Sequence, residues 1–81
     1  MTRYRVTMKS GYRWTFRANL AEASAPLCLL DEDGEPVQTP YQTADALHRA
    51  EEAAAILWPI EIAGDGEDPD DDEVASVRSL D

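Results

Sequence analysis

The strongest constraint in this chain is a two-residue alternation that occurs twice near its N-terminus. Tyr4, Val6 and Met8 alternate with Arg3, Arg5, Thr7 and Lys9. Tyr12, Trp14, Phe16 and Ala18 then alternate with Arg13, Thr15, Arg17 and Asn19. Successive side chains of a strand point to opposite faces, so each run reads as a strand with one apolar and one basic side. The link between them selects the register. A three-residue loop, Lys9-Ser10-Gly11, places Gly11 at a left-handed position. It pairs Met8 with Tyr12, Val6 with Trp14 and Tyr4 with Phe16, all on one face. A two-residue loop would pair Met8 with Arg13 and mix the faces, which rejects it. The opposite face then sets Arg3 across from Arg17, with Arg5 and Arg13 nearby, and like charges so opposed destabilise a sheet.

Further along, Leu27-Cys28-Leu29-Leu30, an acidic turn and residues 37–39 predict a second hairpin closed at Asp33-Gly34. A helix opens at Thr43, or at Thr39 with Pro40 in its first turn, and runs to about Trp58, where Pro59 stops it. Leu47, Ala50, Ala54 and Leu57 form its buried stripe. Ile60-Glu61-Ile62 alternates and reads as a short closing strand. The expectation is an α+β fold: a small antiparallel sheet of four to five strands, packed on one face by a single helix. Residues 1–63 form this core domain. Residues 64–81 form an acidic C-terminal segment, either disordered or a short helix capped by Asp68, with Pro69 in its first turn and Val74, Val77 and Leu80 along one edge.

Charge is divided along the chain. The net charge is −10, from 17 acids and 7 bases. Residues 1–21 hold five of the bases and no acid, whereas residues 65–73 hold seven acids in nine positions. Such polarity implies internal neutralisation or two surfaces of opposite sign. At 81 residues there is no room for a large catalytic cleft. His48 is the only histidine and Cys28 the only cysteine. A disulfide within the chain and a cysteine zinc site are therefore excluded. With no Gly-rich phosphate loop and no paired catalytic motif, the chain reads as a non-enzyme without cofactor or metal. No apolar run reaches the roughly 18 residues of a membrane span. The expectation is a soluble cytoplasmic protein.

Two sets of residues are candidates for binding. The first is anionic: Asp31, Glu32, Asp33 and Glu35 in the turn, and Asp65, Glu67, Asp68, Asp70, Asp71, Asp72 and Glu73 in the tail. The turn lacks the alternating acids and twelfth-position Glu of an EF-hand loop, so it reads as solvated rather than metal-binding. In an extended tail the acids lie about 4 Å apart, close to the ~3.4 Å rise per phosphate of a DNA strand. The second set is the basic sheet face of Arg3, Arg5, Arg13 and Arg17.

Small size, an α+β core, the acidic turn, the acidic helix residues Asp45, Glu51 and Glu52, and the carboxylate array together resemble small phage-encoded anti-CRISPR proteins that act on type I surveillance complexes. The likeness covers the whole chain by size, architecture and charge. It implies an inhibitory protein in the cytoplasm of a bacterial host that presents a DNA-mimicking acidic surface. Its partner would be a basic protein such as a Cas subunit of that complex, with no direct contact to nucleic acid or membrane. The alternative is a nucleic-acid-binding or assembly module that uses the arginine face.

Overall fold

Burial of a single face shapes the N-terminal hairpin. The computed structural model describes residues 1–62 and 72–81. In it, β1 (Thr2–Met8) and β2 (Arg13–Ala18) pair antiparallel, with Tyr4 opposite Phe16, Val6 opposite Trp14 and Arg3 opposite Arg17. The Met8 amide donates to the Tyr12 carbonyl, and the Gly11 amide donates back to Met8. Gly11 has φ +96°, the left-handed backbone that the three-residue loop requires.

A short β3 (Leu29–Leu30) pairs with β2, with Leu30 opposite Arg17. The second hairpin is closed by Gly34 at φ +85° and by Asp31, whose carboxylate accepts the amides of Asp33 and Glu35. Its return arm is only a bridge at Pro36, because proline brings no amide to a ladder.

The remaining strand comes from the other end of the chain. β4 (Val74–Ser79) lies antiparallel along the free side of β1, which gives the sheet order β3-β2-β1-β4. The expected split after residue 63 therefore has a strand of the same sheet on its far side. A bulge sets Thr7 opposite Ser76 but Met8 opposite Val74, so Ala75 is the extra residue. The bulge lets Val74 and Val77 both turn towards the core despite their odd spacing. Residues 74–79 are thus extended rather than helical. The supposed cap at Asp68 and Pro69 lies outside the described residues.

The helix also differs from expectation at both ends. α1 spans Ala50–Ile62, preceded by a 3₁₀ turn at Ala44–Ala46. Neither Thr39 nor Thr43 starts it. Thr43 instead bridges to Pro26, and the amides of Leu27 and Ala44 bond to the carbonyls of Gln42 and Ala25. This cross-chain pairing overrides local helix propensity. At the other end the helix continues through Pro59, and Ile60-Glu61-Ile62 is its last turn rather than a strand. Pro59 removes the bond to the Ala55 carbonyl. Both residues are exposed, which places the freed carbonyl on the solvent side of the helix, and Ile62 in the same turn is buried.

Between sheet and helix, Val6, Met8, Trp14, Phe16 and Leu29 pack against Leu47, Ala53, Ala54, Leu57, Trp58 and Ile62. Tyr4 stacks on Phe16 at 5.2 Å, and Trp14 on Trp58 at 6.0 Å. The Trp14 indole donates to the Met8 sulfur at 3.3 Å. The helix lies nearest to β4, and the large side chains of β1 and β2 fill the space between those strands and α1. Each large apolar side chain buried in this layer contributes about 1.5–3 kcal/mol before entropy is counted.

Candidate functional site

Because α1 covers one side of the sheet, the register decides what the other side displays. On that side β1 presents Arg3, Arg5 and Thr7. β2 presents Arg17, Thr15 and Arg13 across from them, and β4 presents Arg78 opposite Arg5 and Ser76 opposite Thr7. Five of the chain's seven basic residues thus share one face that no described element covers. All five arginines are exposed.

Arg3 has a partner: its guanidinium meets the Asp81 carboxylate at 3.3 Å, and its amide donates to the same group. Among the described residues, Arg5, Arg13, Arg17 and Arg78 form no ion pair. Arg5, Thr7, Arg13, Ser76 and Arg78 line a shallow hollow of about 270 Å³. Beside it a second hollow is lined by Arg5, Arg13, Trp14, Thr15 and Glu32, so the acidic turn reaches the border of the basic face.

Among the described residues, the acidic candidates do not assemble into one site. Asp72 accepts hydrogen bonds from the Ser10 amide and hydroxyl, and Glu73 pairs with Lys9 at 2.6 Å. These contacts fasten the start of β4 to the hairpin tip and hold both carboxyls below their usual range. In each case a side-chain hydrogen bond, from Ser10 and from Lys9 respectively, is the main cause. Asp31 is occupied within its own turn, while Glu32, Asp33 and Glu35 are exposed. Asp65, Glu67, Asp68, Asp70 and Asp71 lie outside the described residues.

Sequence reasoning did not single out Glu61. In the last turn of α1 it faces the acidic turn, and its carboxyl is pushed up to about 7. Burial is the main cause, followed by a hydrogen bond and the charge of Glu32, then the charges of Asp31 and Asp33.

Among the described residues, no three His, Cys, Asp or Glu side chains are grouped to hold a metal ion, and no helix is long and apolar enough to cross a membrane. His48 and Cys28 are both exposed. Arg78 was missed at the sequence level because the bulge at Ala75 hides the two-residue period of β4. The chain matches no family model, no curated protein and no solved structure.

Proposed function

We propose that the protein is a non-enzymatic binding module whose working surface is the arginine side of its sheet, which docks a polyanionic partner. One observation carries this reading: in a chain of net charge −10, five of seven bases share one face that no described element covers, four of them without an ion pair among the described residues. Opposing Arg5 to Arg78 and Arg17 to Arg3 costs sheet stability, and an anion seated there relieves that cost. Acidic groups farther from this face than a Debye length, about 8 Å at physiological salt, are largely screened from it.

The test is fluorescence anisotropy with labelled heparin at 50 and 200 mM salt. The wild-type protein binds, and affinity falls as salt rises. The double variant Arg5→Gln, Arg78→Gln binds at least tenfold more weakly, because bonds to charged groups are worth about 1.5–3 kcal/mol each. No binding at 50 mM salt overturns the reading.

A second reading is favoured by the exposed Glu32, Asp33 and Glu35 together with the acidic net charge. In it the acidic side is a phosphate mimic, and the protein inhibits a type I CRISPR surveillance complex in the bacterial cytoplasm by occupying a basic channel of a Cas subunit. Reversing all three residues to Lys abolishes inhibition if this reading is right. Full inhibition by that variant removes it.

A further inference from the structure

We propose that the hollow bounded by Arg5, Arg13 and Arg78 is a phosphate site, and that the polyanion it takes is the phosphodiester backbone of a nucleic acid. This inference rests on the polyanion reading of the sheet face and names its ligand.

The donor set selects the anion. Three adjacent strands each supply one guanidinium, and Thr7 and Ser76 contribute hydroxyls between them. A carboxylate is planar with two oxygens, and a single guanidinium fork satisfies it. Three forks lining one hollow oversupply a carboxylate. They suit a tetrahedral phosphate, whose oxygens point in several directions and whose diester stays ionised throughout the accessible pH range. Among the described residues, no acidic side chain lines the hollow. Its volume is about 270 Å³. It therefore has room for the ester arms of a chain as well as the phosphate itself.

The extent of the face points to a polymer rather than a lone phosphate. Arg13 and Arg17 lie four residues apart on β2, about 13 Å along the strand. That distance matches roughly four phosphate steps of a DNA strand at about 3.4 Å each. The face offers no stacking platform, because Tyr4, Trp14 and Phe16 belong to the core side. Sequence-tolerant single-strand binders use such platforms. Recognition here is by the backbone alone, so duplex is accepted and base sequence is not read.

The test compares a labelled 20-base-pair DNA duplex of arbitrary sequence with polyglutamate of matched charge, by anisotropy at 50 mM salt. The wild-type protein binds the duplex at least tenfold more tightly than polyglutamate. A 5′-phosphate on the duplex makes no difference, which places the recognised group within the chain and not at its end. The triple variant Arg5→Gln, Arg13→Gln, Arg78→Gln loses at least tenfold, whereas Arg49→Gln, an exposed base outside the sheet, changes affinity less than threefold. The triple Lys variant at the same three positions keeps charge and fold. It still weakens binding at least threefold, because the forks are lost. Equal binding of polyglutamate and duplex overturns the phosphate site and leaves the polyanion reading standing, whereas a triple Gln variant that binds as wild type overturns both. Dependence on the terminal phosphate overturns the backbone assignment. Binding of neither polymer overturns both readings.

Discussion

Substituting Glu61 by Gln tests the contact between the end of α1 and the acidic turn. The Glu61 carboxyl is half-buried beside Glu32, with Asp31 and Asp33 near, and its pKa is raised from 4.5 to about 7. The folded protein therefore holds a proton that the unfolded chain has already released between those values. The contribution of this group to stability is greatest below pH 4.5, falls as pH rises through 7, and is level above. The full increase corresponds to roughly 3 kcal/mol. Solvent reaches much of the side chain, and screening reduces this to about 1 kcal/mol. A carboxamide at this position cannot ionise, so the Glu61→Gln variant escapes the loss. In a domain of this size, about 1 kcal/mol moves the melting temperature by about 4–8 °C. Thermal melts followed by circular dichroism at pH 4, 6 and 8 check this. The two proteins should melt together at pH 4, and Glu61→Gln should melt about 4–8 °C higher at pH 8. A difference that stays constant across pH, or a wild type more stable at pH 8, would falsify the account of this pair.

Three further substitutions test the fold. Pro59→Ala restores an amide donor in the last turn of α1 but also loosens the unfolded chain, so stability in urea melts should change by less than about 1 kcal/mol, whereas a gain of about 3 kcal/mol would show that the proline is costly where it stands. Phe16→Ala empties a buried site stacked against Tyr4 and should cost about 3–5 kcal/mol at unchanged m-value; a cost below about 1 kcal/mol contradicts the described core. Gly11→Ala meets no atom within 4 Å, so its expected cost of about 1–2 kcal/mol is that of the left-handed backbone alone, and an unchanged urea midpoint refutes that conformation.

The hairpin was readable because each of its strands buries one face only. Alternation set the faces, and the loop ending at Gly11 set the register. The same alternation exposed four of the five face arginines. The C-terminal strand was hidden by its bulge: Ala75 shifts the parity, so Val74 and Val77 show a spacing of three that imitates a helix edge. The helix start was obscured by a different force. Residues 25–27 pair with residues 42–44, a contact between distant segments that no local cap signals. Pro59 misleads because proline is costly in a helix only where the freed carbonyl lacks a partner, and here it faces water. Asp72 and Glu73 looked like part of a free array, yet their neighbours at the hairpin tip lie more than sixty residues away in sequence. Spatial partners of that kind leave no mark on spacing.

The most direct measurement is a ¹H–¹⁵N correlation spectrum of the labelled protein, titrated with the 20-base-pair duplex at low salt. The predicted shifts fall on Arg5, Thr7, Arg13, Thr15, Ser76 and Arg78, with α1 unmoved. Shifts confined to the helix or to the acidic turn, with the arginine strands silent, would contradict the assignment of the working face.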